Sequence, residues 1–353
     1  MHKWLLYLET IVLALFFVLM FLHVKVAGTE ENPQPLAQAQ TLMERGDAEF
    51  AKQDLVKALV SYWGAINSIE TAKEGRSDTG NQLEKSLLNA HLRVAEIYFH
   101  SNWNEDAEAH LERVAKEQPD HIGVHLLRGK LLYGYGEKAA ATEALLHVLE
   151  KDPTNSEAHY TLGLLYQGAQ QYKEAIHYYK QAIENDAALI PLPFESAPFG
   201  LLARLQLSRT YRRIVHDYTY GGRALSAEEL SEIGELTDKA IELLKEAVAQ
   251  EPNFTDAKDD LIDLLYVQAQ SLERGEGDVR FYGEALEIYE QIVELDANQV
   301  DAWRQMGEIN LGFLQEPESA LEAYQNAYQL YPDPGILAAI KSIQEDLQIQ
   351  IPE

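Results

Sequence analysis

Three histidines recur at a single spacing in the first half of the chain. His91, His125 and His159 follow one another at steps of 34 residues, and imidazole is a common ligand of zinc in proteins. If each histidine lies on its own stacked structural repeat, neighbouring imidazoles are about 10 Å apart, roughly one helix-packing distance. Zinc needs ligand bonds of about 2 Å to one ion. The three imidazoles therefore could not share a metal, and the spacing favours packing on one helix of each repeat.

Other chemical motifs lack the context that their mechanisms need. The G-x-G-x-x-A run at 134–139 has no strand before it, so it predicts a tight interhelix turn instead of a dinucleotide loop. Asp259, Asp260 and Asp263 cluster without the loop pattern of a calcium site. The absence of cysteine removes disulfides, cysteine-ligated zinc and thiol catalysis. No hydrolase, nucleotide-binding or zinc-protease motif appears, so we expect no metal, no cofactor and no enzymatic activity.

The charge balance excludes one class of partner. The chain carries 57 acidic and 29 basic residues, a formal net charge of −28. Nucleic-acid binding needs a basic face for phosphate contacts, so we expect no nucleic-acid partner. The hydrophobic content of 46% is ample for a continuous core.

The elements that must position any site are indicated by the same 34-residue period. At three positions of the period, called columns here, small or helix-ending residues recur in successive repeats. They are Ala95, Gly129 and Gly163; Ala107, Ala141 and Ala175; and Pro119, Pro153 and Ala187. Small residues allow two helices to approach within the usual packing distance of about 8–10 Å, and proline ends a helix because it lacks an N–H donor. A period of this length predicts stacked helix–turn–helix units.

These columns resemble those of the tetratricopeptide repeat family. The resemblance implies an all-α, right-handed superhelix of about seven units, a helix–turn–helix solenoid. Units 1–4 would occupy residues 39–187, followed by a proline-rich connection at 188–200. Units 5–7, with enlarged loops, would occupy 201–333, and residues 334–353 would form a capping helix and tail.

The N-terminal residues 1–28 predict a transmembrane signal anchor, joined by a linker at 29–38. Residues 5–22 are almost wholly apolar and would extend about 27 Å as a helix, enough to cross a bilayer. A cleaved signal peptide is the alternative, but a weakly basic start and a poor cleavage region favour the anchor. The few flanking basic residues place the repeats outside the cytoplasm, in the periplasm if the source is bacterial.

The resemblance also implies where a partner would bind, because the first helix of each unit lines the concave groove in this family. By register, the following side chains lie there: Phe50, Phe99, Tyr133, Arg209, Arg212, Arg213 and Tyr266. Aromatic rings offer apolar contact area, and arginines spaced i, i+3, i+4 project from one helix face towards carboxylates. Alternatively, the rings pack between helices, and the arginines pair with the chain's own Asp259 and Asp263.

We therefore expect a membrane-tethered scaffold or adaptor that binds an unidentified protein or peptide and supports assembly of an envelope complex. Two alternatives remain open. The repeats could be a structural self-association module that builds a homo-oligomer, or the chain could be a non-catalytic regulatory subunit of a membrane enzyme.

Overall fold

The computed structural model describes residues 35–74, 81–186, 197–220, 226–274 and 279–347. Within these ranges the chain is helical and contains no strand. The α-helices are α1 Pro35–Ala51, α2 Leu55–Glu74, α3 Asn81–His100, α4 Asn104–Glu117, α5 Ile122–Gly134, α6 Lys138–Lys151, α7 Ser156–Gly168, α8 Tyr172–Asn185, α9 Phe199–Tyr220, α10 Ala227–Gln250, α11 Thr255–Glu273, α12 Val279–Leu295, α13 Val300–Ile309, α14 Pro317–Leu330 and α15 Pro334–Asp346. A π-helical turn, Asn310–Leu314, continues α13.

The chain divides into two compact units, residues 1–119 and 120–353. In the first unit, α1 packs against α2 and α3 packs against α4. In the second, helices pack in consecutive pairs from α5 with α6 to α13 with α14, and α15 packs against α14. First helices of neighbouring hairpins also meet, α5 with α7 and α7 with α9. The predicted all-α architecture of repeated helical hairpins is confirmed.

The small-residue columns lie where the two helices of a hairpin cross. Ala107, Ala141 and Ala175 are fully buried. At Gly129, an added Cβ would lie 2.7 Å from Cγ of Leu145 on the partner helix. Such a contact is far below van der Waals separation, so anything larger than glycine would push the helices apart.

Tight turns within the hairpins use one residue in the left-handed conformation. Asn102, Gly136 and Gln170 have φ values of 61°, 78° and 60° and connect α3 to α4, α5 to α6 and α7 to α8. Glycine adopts this conformation without the steric cost that a Cβ brings. The interhelix turn predicted at 134–139 is confirmed, and Pro119 and Pro153 follow the ends of α4 and α6 after one intervening residue each, as expected.

The fifth hairpin differs from the expectation of an enlarged loop. Its extra residues lengthen both helices, so that α9 continues to Tyr220 and α10 begins at Ala227. Ser226 caps α10, because its hydroxyl accepts from the Glu229 N–H while the Glu229 carboxylate accepts from the Ser226 N–H. This capping box fixes the start of a helix within the stretch for which the sequence predicts an enlarged loop.

Two predicted segments lie outside the described residues. The proposed anchor at 5–22 is one, and most of the proline-rich connection at 188–200 is the other. Among the helices of the described ranges, none is sufficiently long and apolar to span a bilayer.

Candidate functional site

The predicted binding residues all lie on the first helix of their hairpins. Phe50 is on α1, Phe99 on α3, Tyr133 on α5 and Tyr266 on α11, and α9 carries Arg209, Arg212 and Arg213. The two phenylalanines belong to the first compact unit and the other residues to the second. The two sets are therefore described separately.

In the first unit the aromatic side chains are mostly covered. Phe50 is only 5% exposed, and the Arg93 guanidinium carbon lies 5.4 Å from the centroid of its ring. Phe99 is half-buried and contacts the His100 ring edge to face, with 5.0 Å between the ring centroids. Phe50 therefore contributes to packing, and Phe99 retains only part of its surface for a partner.

In the second unit the two tyrosines differ. Tyr133 is 38% exposed near the end of α5. Tyr266 is half-buried, donates its hydroxyl to the side-chain oxygen of Gln299 at 3.4 Å, and contacts the Tyr289 ring edge to face. Burial raises the pKa of Tyr266 to about 12. Tyr133 is thus the more accessible apolar contact.

The three arginines of α9, which we call the arginine face, are not equivalent. The Arg209 Nε lies 2.6 Å from one carboxylate oxygen of Asp260, and the Arg212 guanidinium lies 3.4 Å from the other. Arg213 is exposed, and none of the carboxylates in the described ranges forms an ion pair with it. The face therefore presents one unneutralised guanidinium beside two that share a carboxylate.

The internal partner is Asp260 and not the expected Asp259 or Asp263. Both of those aspartates are exposed on α11, whereas the Asp260 side chain is 15% exposed. One residue corresponds to a rotation of about 100° on a helix, which is enough to turn a side chain from the solvent to the neighbouring hairpin.

Tyr133 and Arg213 both act on the buried phenol of Tyr179. Burial is the largest cause that raises the Tyr179 pKa well above its usual range. The phenols of Tyr160 and Tyr133 add to that rise, and the positive charge of Arg213 opposes it. Two of the predicted binding residues, from α5 and α9, thus lie within electrostatic range of the same phenol on α8.

A buried glutamine, which sequence reasoning missed, joins the helices beneath this surface. Gln167 on α7 donates from its amide to the Thr210 hydroxyl at 2.8 Å and to the Gln206 carbonyl at 3.3 Å, both on α9. It also accepts from the Tyr179 hydroxyl at 3.3 Å. Gln167 lies 34 residues after Tyr133, in the same column. That register was the signal that could have identified it, and its hydrogen bonds fix α9 against α7 and α8.

A second surface feature lies on the other side of α9. A cleft of about 450 Å³ between α8, α9 and α10 has an apolar floor and a rim of both charges. Its floor includes Leu207 and Tyr211, and its rim includes Lys180 and Glu246. The rim carboxylate of Glu246 already pairs with Arg204 at 3.1 Å. The lining contains two lysines and three glutamates, so charges of both signs surround the apolar floor.

The histidines of the 34-residue column are each involved in a contact within their own hairpin. Each member packs against an aromatic ring on the second helix of its own hairpin. His91 pairs with His110, His125 with His147, and His159 with Tyr178.

Comparison with known proteins identifies one repeat directly. Residues 144–177 match the family model of the tetratricopeptide repeat. No curated protein matches the chain.

Solved structures give the fold. The C-terminal part of a TPR repeat-containing protein from Cytophaga hutchinsonii superposes with a TM-score of 0.50 at 13% identity, covering 84% of this chain and 99% of that one. YrrB, a TPR protein with an unusual peptide-binding site, gives 0.38 at 19%, covering 66% and 97%. The pilF protein of Pseudomonas aeruginosa gives 0.43 at 14%, covering 73% and 97%. At these identities the likeness concerns the fold alone.

Proposed function

We propose that this chain, in which residues 144–177 match the tetratricopeptide repeat and whose described residues form repeated helical hairpins, is a membrane-tethered scaffold whose arginine face and Tyr133 bind an acidic segment of a partner protein. Tetratricopeptide repeat proteins are in general non-catalytic scaffolds, and we propose that this chain is one of them. The single observation that carries the binding proposal is the exposed Arg213, which forms no ion pair within the part of the chain that the structure describes, in a chain of net charge −28.

The chemistry of the segment follows from the surface. An exposed guanidinium favours a carboxylate because two parallel N–H donors match its two oxygens. Tyr133 adds apolar area and a hydroxyl, which suits an aromatic or aliphatic residue beside the acidic one. The overall negative charge of the protein would repel acidic chains elsewhere on its surface, so binding would be confined to this face.

The tether and the location complete the proposal. The apolar residues 5–22 would anchor the chain in a membrane, with the repeats on the extracytoplasmic side, in the periplasm if the source is bacterial. A scaffold held there would gather soluble or membrane-bound components of an envelope complex. The apolar run and the poor cleavage region support the anchor, and the scarcity of flanking basic residues supports the extracytoplasmic side.

The test compares two charge reversals in the full chain. Arg213→Glu removes the exposed cation, and Lys341→Glu, at an exposed position of α15, makes the same change in net charge away from the arginine face. Partners are cross-linked in native membranes and identified by mass spectrometry, and the affinity of the identified segment is then measured. We expect Arg213→Glu to weaken binding by about tenfold or more and Lys341→Glu to leave it unchanged.

Arg209 is deliberately spared in this design. A glutamate at that position would stand beside Asp260 and destabilise the hairpin contact, which would confuse binding with folding. Equal affinity of the Arg213→Glu variant and the wild type, at equal melting temperature, would show that the arginine face is not the binding surface.

A further inference from the structure

The third hairpin brings together a carboxylate and two imidazoles that the 34-residue period does not connect. Asp120 lies in the turn before α5, His125 in the first turns of α5, and His147 on α6. One ligand atom from each of the three lies within 4.8 Å of the other two. The Nε2 of His147 is 3.8 Å from a carboxylate oxygen of Asp120, and the two imidazole rings stack with 4.0 Å between centroids.

We propose that Asp120, His125 and His147 bind one divalent transition-metal ion of the zinc class. Two neutral imidazoles and one carboxylate are a donor set that zinc takes in proteins, and the carboxylate partly neutralises the ion. Three protein ligands leave a fourth position for water. The ion would fix the turn that precedes α5 onto α6.

The donor atoms are close to the separation that such an ion requires. Bonds of about 2.0–2.2 Å in a tetrahedron place ligand atoms about 3.3–3.5 Å apart. All separations between the ligand atoms are within 4.8 Å, so the side chains must close by at most about 1.5 Å. The stacked rings must also turn, because the lone pairs of parallel imidazoles do not point at one ion. The Asp120 side chain is 75% exposed and that of His147 28% exposed, which leaves room for these rotations.

A second observation concerns the imidazole of His147. Its Nδ1 is buried and has no hydrogen-bond partner among the residues that the structure describes. Buried polar atoms are normally paired, so this ring is held by packing and not by a hydrogen bond at that nitrogen. Rotation of the His147 ring towards an ion would therefore change packing contacts but would break no hydrogen bond at Nδ1 within the described residues.

The first unit contains an equivalent histidine pair that lacks the third ligand. His91 and His110 pair across α3 and α4, with their Nδ1 atoms 2.8 Å apart. In the described ranges no carboxylate completes a three-ligand group with that pair. Asp120 is thus what distinguishes the pair in the third hairpin as a metal site.

The experiment uses the full, untagged chain with Co²⁺ as a spectroscopic probe and Zn²⁺ as its competitor. Four-coordinate Co²⁺ gives intense visible ligand-field absorption, which octahedral aqueous Co²⁺ lacks. We expect one Co²⁺ per chain at submillimolar concentration, displaced by Zn²⁺. Asp120→Ala and His147→Gln should each weaken binding by at least about tenfold. The matched control is His177→Gln, an exposed histidine on α8, which should bind as the wild type does.

Asp120→Ala keeps the test independent of folding, since its side chain is largely exposed and lies outside the helices. Circular dichroism of each variant without metal verifies that the helices persist. The proposal is overturned if the wild type shows no saturable binding at one ion per chain, or if Asp120→Ala binds Co²⁺ as tightly as the wild type.

Discussion

Lowering the pH should destabilise the first compact unit through the buried pair His91 and His110. Their Nδ1 atoms are 2.8 Å apart, so one donates and the other accepts. Trp63 and Tyr98 enclose the His110 ring edge to face, at 5.2 and 5.6 Å between ring centroids. This arrangement requires at least one imidazole to be neutral, because two protonated rings would place two donors and two positive charges against each other.

Burial is the largest cause that lowers the pKa of each histidine to about 4. Charges near the pair act in both directions. Arg113 lowers both pKa values, Lys73 lowers that of His91, and Asp106 raises that of His110. At neutral pH both rings are therefore neutral in the folded protein.

The sign and size of the effect follow from the difference between folded and unfolded states. An unfolded histidine has a pKa of 6.5, so below that pH the unfolded chain binds protons that the folded chain refuses. The contribution of the two neutral imidazoles to the free energy of unfolding is complete well above pH 6.5 and is lost as the pH falls towards about 4. At about pH 5 one such histidine costs about 2 kcal/mol, and the pair costs about 2–4 kcal/mol, because the partial exposure of His110 reduces the sum.

Urea unfolding between about pH 7.5 and about pH 5 measures this loss. The double variant His91→Gln with His110→Gln retains hydrogen-bonding groups but cannot titrate, so the fall in unfolding free energy should shrink by about 2–4 kcal/mol. His121 and His159 also have pKa values lowered by burial and act in the same direction, so only the difference between variant and wild type isolates the pair. His216→Gln, at an exposed position, is the control. An unchanged pH dependence in the double variant would refute the reasoning.

Two further predictions concern packing and capping. Gly163→Ala places a Cβ against the buried ring of Tyr179 and should lower the unfolding free energy by about 1–3 kcal/mol. Gly168→Ala, on the same helix but with open space around the added Cβ, should leave the unfolding free energy unchanged. Equal melting temperatures of the two variants would contradict this prediction. Ser226→Ala removes the hydroxyl that accepts a hydrogen bond from the Glu229 N–H and should lower the stability of the start of α10 by about 0.5–2 kcal/mol. Amide hydrogen exchange at the start of α10 should become faster, and unchanged exchange there would contradict the role of the cap.

The repeat columns predicted the fold because each one carries a steric requirement. Alanine at 107, 141 and 175 is needed at every helix crossing, and all three side chains are fully buried. The turn residues Asn102, Gly136 and Gln170 recur at the same 34-residue step with the same left-handed conformation. A requirement that recurs in every unit leaves a periodic trace, which sequence reasoning can read.

Details that differ between units left no such trace. The three arginines lie on α9, but their internal partner is Asp260, because a one-residue difference in helix rotation decides which aspartate faces α9. The column that contains the exposed Tyr133 likewise contains, 34 residues later, a buried Gln167 that donates a hydrogen bond to the Thr210 hydroxyl. Register predicts which column a residue occupies and cannot predict how closely the next hairpin covers it.

The histidine pairs show where repeats acquire different properties. His91 meets a ring 19 residues later and His125 meets one 22 residues later, a difference of three residues, or nearly one helical turn. In the first case the pair lies between Trp63 and Tyr98 and stays neutral. In the second it lies next to Asp120, at the turn that leads into α5. The first helix keeps the histidine in register, and the residues next to its partner ring, Trp63 and Tyr98 in one case and Asp120 in the other, decide whether the pair serves packing or ligation.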